Sequence, residues 1–166
     1  MIHPLVKIIT VDGFYTNQQA TQLWNTVYDL PFIQQEFGKQ IDQFNMIADD
    51  ADNMFSGILN SHMAVVHEQS GIFRLPQRFI HFEEFTDTNE WIFAVALQPS
   101  VFDIFEHSSG AKTALDDYKF NYRNLFEWEH KINYQLDPGC GVLFRPWLFH
   151  SFDSGMLQIF RLREKE

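Results

Sequence analysis

The chain is poor in cysteine: the single thiol, Cys140, leaves no partner for an intramolecular disulfide and no basis for a cysteine-built zinc site. A reducing cytoplasm is therefore the expected setting. Positive charge is also scarce, with 12 Lys+Arg against 22 Asp+Glu and a formal charge of −10. A phosphate backbone would be repelled and no basic run offsets this, so nucleic acid is not expected as a partner. No stretch approaches the roughly 20 apolar residues needed to cross a bilayer. The start MIHPLVKIITVDG lacks a secretory apolar core followed by a cleavage site, so the reading is a soluble, unexported chain with no membrane partner. No repeat, low-complexity tract or Ser/Gly linker marks a second domain. A Gly-rich phosphate loop is missing, as is any Ser/His/Asp or Cys/His arrangement, because Cys140 sits in a turn with no assigned base.

What the chain does have is apolar and aromatic mass. Hydrophobic residues make up 45% of the 166 residues and aromatics 16%, including 18 Phe, which fits a folded protein and favours strands. A chain of this length buries roughly 70% of its unfolded surface, enough for one real core. We expect a single domain over 1–166, mainly β with N-terminal helices at about 14–70 and a β core at about 71–163.

Residues 5–11 alternate and are rich in β-branched side chains, which predicts a first strand closed by Asp12-Gly13. Thr16 and Gln19 form a capping-box pair. Ala20, Leu23, Trp24, Val27 and Tyr28 follow at helical spacing, and Pro31 ends the element. Residues 32–48 are Gln-rich and show no clear period. From 50 to about 68, Met54, Phe55, Ile58, Leu59, Val65 and Val66 suggest a second helix with Gly71 beyond its end. Its His62 and His67 are five apart, whereas ligands on one helical face need three or four, so a solvated or capping role is expected for both.

After Gly71 the period changes to 2. Strands are predicted at 72–75, 78–85, 90–98, 101–107, 125–136, 141–145, 148–152 and 156–163, a pattern for a sandwich or barrel. Between them, 108–124 is a polar, Tyr-containing excursion of the kind that covers a site. The stretch DPGCGVLFRPWLFHSFDSGMLQIFRLR at 137–163 orders a Pro-Gly turn, a strand, a Pro-Trp bend, His150, a polar turn and a strand carrying Arg161 and Arg163.

In RFIHFEEF at 78–85, alternation puts His81 and Glu83 on one face and Phe82 and Glu84 on the other. With His150 from a later strand, the chain offers two imidazoles and one carboxylate, the facial triad that holds a non-haem iron(II) with positions left open. An anionic co-substrate needs a cationic anchor, and Arg161 or Arg163 can supply it. Arg161 shares a strand face with Leu157 and Ile159, and pointing inward it would need an anion. Trp147 reads as core or wall packing. His107 reads equally as rim surface or substrate contact.

The order His81-x-Glu83, His150 and Arg161 eleven residues later resembles the 2-oxoglutarate- and iron(II)-dependent oxygenases. The segment VDGFYTNQQATQLWNTVYDL is similar to the strand-then-helix opening of their prolyl-4-hydroxylase-like branch, and DPGCGVLFRPWLFHSF to its PG-to-His strand pair. That resemblance implies a double-stranded β-helix, or jelly roll, of the cupin-like kind. It implies Fe(II) held by His81, Glu83 and His150, with Arg161 pairing the distal carboxylate of 2-oxoglutarate. The family usually places aspartate where Glu83 stands, and Glu84 is the neighbouring alternative. The implied reaction is hydroxylation of a peptide side chain or small metabolite. Two other readings keep the fold: a cupin-like metal protein with different chemistry, and a metal-free jelly-roll module that binds a partner.

Overall fold

The structure, a computed structural model, describes residues 7–31, 33–35, 38–41, 51–74, 79–153 and 155–165. Among the described residues, eleven strands and two α-helices follow the order β1 (Ile8–Val11), α1 (Asn17–Val27), β2 (Ile33–Gln35), β3 (Gly38–Ile41), α2 (Ala51–Leu59), β4 (Met63–Val65), β5 (Gly71–Arg74), β6 (Trp91–Ala96), β7 (Ser100–His107), β8 (Trp128–Leu136), β9 (Gly141–Phe144), β10 (His150–Asp153) and β11 (Met156–Glu164). The larger sheet runs β1-β9-β6-β11-β5-β3-β2, with β4 also on β11, and the smaller runs β10-β7-β8. All pairs are antiparallel. This is the jelly roll expected from the sequence.

Side-chain alternation divides the larger sheet into two faces. Ile92, Ala94, Ala96, Val142, Phe144 and Leu157 point inward and meet Phe102, Ile104, Leu136, Leu148 and Phe152 from the smaller-sheet side. Trp91, Phe93, Val95, Leu143, Phe160 and Leu162 point outward and are covered by Phe55 and Leu59 of α2. The Ala20, Leu23 and Val27 stripe of α1 closes over Ile72, Leu97 and Met156. Thr16 and Gln19 make the capping box in full: the Gln19 N–H donates to Thr16 Oγ1 at 3.1 Å and the Thr16 N–H to Gln19 Oε1 at 2.9 Å. Gly139 has φ 91°, and a Cβ there would collide with the Tyr15 carbonyl, so the Pro-Gly turn is tied to the entry of α1.

Several elements differ from their predicted form. The helix expected over 50–68 stops at Leu59, because Asn60 turns left-handed with φ 49° and the next residues have a new partner. Met63 and Val65 are buried at alternate positions and pair with Glu164 and Leu162 of β11, so Val65, assigned to a helical face, belongs to a period-2 strand. His67 falls in a short 3-10 turn at His67–Gln69, so His62 and His67 share no helix. The unperiodic 32–48 region contains the hairpin β2–β3. Residues 125–127 form a 3-10 turn, and β8 begins at Trp128. Helix α1 ends at Val27, before Pro31, and residues 5 and 6 of the expected first strand lie outside the described residues.

The strand expected over 78–85 is the correction that bears on function. Residue 78 lies outside the described residues, and 79–85 run without a ladder, joined to the fold by one bridge, His81 to His150. The reason lies in the facing chain: Leu148, two residues before His150 and the next ladder position, gives its N–H to the Arg145 carbonyl at 3.2 Å and its carbonyl to His150 Nδ1 at 2.7 Å. The Glu83 N–H goes instead to the Pro146 carbonyl at 2.8 Å.

Candidate metal centre

His81 and His150 exchange both backbone bonds, each N–H to the other's carbonyl at 2.9 Å. This pairing brings the two rings to 4.1 Å between centroids. The Pro146 carbonyl then fixes Glu83 two residues on, on the same side as His81. Phe82, on the opposite side, packs toward Tyr118, Tyr122 and Phe149. The predicted excursion 108–124 thus braces the back of the ligand-bearing segment, with the Ala114 N–H on the Trp147 carbonyl at 2.9 Å and Phe120 against Phe149.

The donor atoms of His81, Glu83 and His150 all lie within 4.8 Å of one another. Glu83 Oε1 is 2.9 Å from His81 Nε2 and 3.8 Å from His150 Nε2. Each ring's other nitrogen is taken by a backbone carbonyl: His150 Nδ1 meets Leu148 O at 2.7 Å, and His81 Nδ1 meets Phe79 O at 3.0 Å. A carbonyl can only accept, so these contacts assign the proton to Nδ1 and turn both Nε2 lone pairs toward the carboxylate. Three lone-pair donors facing one point repel unless a cation lies between them. His150 is fully buried, and its Nε2 has no hydrogen-bond partner, a cost that a coordinated ion would remove.

Electrostatics point the same way. Burial pushes the His150 imidazolium down to about 4, aided by the neighbouring His81, so the ring is neutral near pH 7. Burial pushes the Glu83 carboxyl up, but the adjacent His150 and His81 rings outweigh it and hold the group well below the usual carboxylate range. A neutral imidazole and an ionised carboxylate are the forms that bind metal. Two nitrogens and one oxygen suit a first-row divalent ion, and three protein donors leave coordination positions open. The rings of Phe144, Phe102 and Phe152 wall His150 at 4.7, 5.6 and 5.7 Å, while Glu83 keeps 39% of its side chain exposed and so marks the open side.

Arg161 lies on the inner face, opposite Ile92, as its alternation with Leu157 and Ile159 implied. It already has an anion: its Nη2 bonds the Glu90 carboxylate and also the Glu84 carbonyl. Glu84 itself is exposed, and its carboxylate is not among the converging donors. Glu90, 1% exposed, is a buried carboxylate that no motif of the sequence marks. Extending the period-2 pattern of β6 back from Ala94 and Ile92 reaches it, and a carboxylate on an inward position is the signal that could have found it. His107 stacks on Phe120 at 3.9 Å and bonds Ser109, away from the donor group, and Trp147 is buried against Phe85 as expected for wall packing.

No protein-family model matches the sequence, and no curated protein matches it. Among solved structures, HygX from Streptomyces hygroscopicus with nickel, 2-oxoglutarate and hygromycin B bound aligns over 96% of this chain and 82% of that one, with a TM-score of 0.58 at 10% identity. HygX with nickel and 2-oxoglutarate bound aligns over 96% and 83%, with a TM-score of 0.56 at 9% identity. A Pseudomonas putida prolyl-4-hydroxylase reaches 0.42 at 11% identity over 96% of this chain and 94% of that one. At such identity the likeness to HygX establishes a shared fold: this chain has the jelly roll of a protein crystallised with nickel and 2-oxoglutarate.

Proposed function

We propose that the chain is a single-domain, non-haem iron(II) and 2-oxoglutarate-dependent oxygenase, working in the cytoplasm on a small metabolite or a peptide side chain. The observation that carries this reading is the convergence of His81 Nε2, Glu83 and His150 Nε2, with both Nδ1 atoms held by carbonyls. The fold shared with HygX, which holds nickel and 2-oxoglutarate, supports it. Bound iron(II) would supply the redox chemistry that couples oxygen and 2-oxoglutarate to hydroxylation.

The chain's own part is positioning. The Leu148 and Phe79 carbonyls orient the two imidazoles, a supporting shell that raises ligand basicity and fixes the tautomer. Glu83 supplies the anionic donor from the open side. Phe102, Phe144 and Phe152 keep water from the His150 side. Arg161, facing the same interior, is the candidate anchor for the distal carboxylate. A second reading, a jelly-roll metal protein with other chemistry, is favoured by one observation: Arg161 is already paired with Glu90.

Anaerobic addition of iron(II) and 2-oxoglutarate to the metal-free protein is expected to produce a weak visible metal-to-ligand charge-transfer band, with calorimetric binding of 2-oxoglutarate. Neither band nor heat would leave the second reading in place.

A further inference from the structure

We infer that Phe79 and Arg123 form a substrate-binding lip beside the metal donors, one that takes a substrate carrying a carboxylate on a flat apolar body. The inference rests on the reading above and adds to it the chemical class of the substrate.

Alternation along the ligand-bearing segment places Phe79, His81 and Glu83 on one side and Ile80 and Phe82 on the other. Phe79 therefore stands two residues, roughly 7 Å of extended chain, from His81. It lies on the side from which Glu83 is open. The Phe79 carbonyl meets His81 Nδ1 at 3.0 Å, which ties its backbone to the donor group, yet the residue is 43% exposed. On the opposite side Ile80 is buried and Phe82 packs toward Tyr118 and Tyr122. The exposed ring of Phe79 is thus an apolar platform at the open side of the donors.

Arg123 reaches that ring from the end of the 108–124 excursion, with its guanidinium carbon 5.3 Å from the Phe79 centroid. The backbone around it is anchored: Trp128 Nε1 donates to the Asn121 carbonyl at 3.2 Å, the Arg123 N–H donates to Asn121 Oδ1 at 3.1 Å, and Tyr122 stacks on Trp128 at 5.4 Å. What singles out Arg123 is the lack of an acceptor. Arg74, Arg145, Arg161 and Arg163 each meet a carbonyl or carboxylate oxygen, whereas among the described residues the Arg123 side chain meets only the ring. Asp117, on the same excursion, is occupied in its own turn, where Oδ1 accepts the Tyr118 and Lys119 N–H groups at 2.7 and 3.0 Å. In a chain with 22 Asp+Glu against 12 Lys+Arg, an arginine fixed beside the donors without a carboxylate is free to pair with an anion from outside. A guanidinium with one face on a ring keeps its in-plane donors, and these match a carboxylate two at a time. The body that carries the carboxylate would then lie along Phe79. This cation stands on the exposed excursion, apart from the inward Arg161 of β11.

The test is ligand-observed NMR titration of the whole chain, with and without nickel(II) and 2-oxoglutarate, using 3-phenylpropionate and its neutral amide as probes. The acid is expected to bind about fivefold more tightly than the amide, the scale of an exposed charge pair. Arg123→Gln should abolish that preference and leave the amide unchanged, while Phe79→Ala should weaken both probes by about threefold or more. With manganese(II) in place of nickel(II), the phenyl protons of the bound acid should broaden, and His150→Ala should abolish the broadening. A third probe, acetyl-Ala-Ala-Phe with a free C-terminus, supports the inference if it also depends on Arg123, and the tighter of the two acids names a peptide or a free acid as the source of the carboxylate. Equal affinity for acid and amide, a preference that survives Arg123→Gln, or no broadening in protein that holds manganese(II) would each overturn the inference. If the acid preference depends on Arg123 while the protein binds neither metal nor 2-oxoglutarate, the carboxylate site stands and the oxygenase reading fails.

Discussion

The candidate metal-donor triad and the Glu90 cluster (Glu90, Arg161 and Arg163) are both polar groups set into an aromatic interior, and they are satisfied differently. At the triad, lone pairs from His81, Glu83 and His150 face one another, and His150 Nε2 is buried without a partner. At the cluster, the chain supplies opposite charges to itself, with Thr86 completing the shell of Glu90. A group of like donors needs something from outside, whereas a self-paired group also contributes to the fold. Substitutions at the triad should therefore change binding more than stability, and those at the cluster should change both.

The largest effect is expected from His150→Ala, which removes one of three donors. Metal stoichiometry should fall from one per chain to near zero while circular dichroism stays that of a folded protein, since the lost imidazole had an unsatisfied buried nitrogen. Arg161→Leu comes next. It deprives a buried carboxylate of its nearest cation, and urea unfolding should show a loss of about 2–3 kcal/mol, below the full cost of an orphaned buried charge because Thr86 and Arg163 remain. A variant as stable as wild type would make the pair a surface feature in energetic terms.

A smaller effect distinguishes the cluster by pH. Burial raises the Glu90 carboxyl, but bonds from Thr86 and Arg161 outweigh it and hold the group below its ordinary 4.5. A depressed carboxyl adds stability that is present above the ordinary value and is lost as pH falls through the folded one. Stability should therefore decline on acidification below about pH 4.5, and Glu90→Gln should flatten that part of the profile. An unchanged profile would show that Glu90 makes no such contribution. Thr86→Val should have the smallest effect, about 1 kcal/mol in unfolding with metal binding unchanged, because it removes a single hydroxyl donor from Glu90.

The same contrast explains what could be read in advance. The convergence of His81, Glu83 and His150 is legible because its signal is local: a period-2 pair and one histidine among aromatics. The Thr16–Gln19 box was legible for the same reason. Glu90 was not, since a carboxylate before Trp91 resembles a strand-end surface charge until β11 brings Arg161 and Arg163 across from it. Strand β4 was hidden because Met63 and Val65 suit a helix stripe as well as a ladder, and only pairing with β11 decides between them. Segment 79–85 keeps the alternation of a strand while losing its ladder to the Arg145–Leu148 turn, so the sequence shows the faces and not the element.

The central claim is that one metal ion sits among these three side chains. Anomalous diffraction at the iron edge, from crystals grown anaerobically with iron(II), tests it most directly. The expected result is a single peak between His81 Nε2, His150 Nε2 and the Glu83 carboxylate; a peak elsewhere, or none with those three side chains ordered, would contradict it.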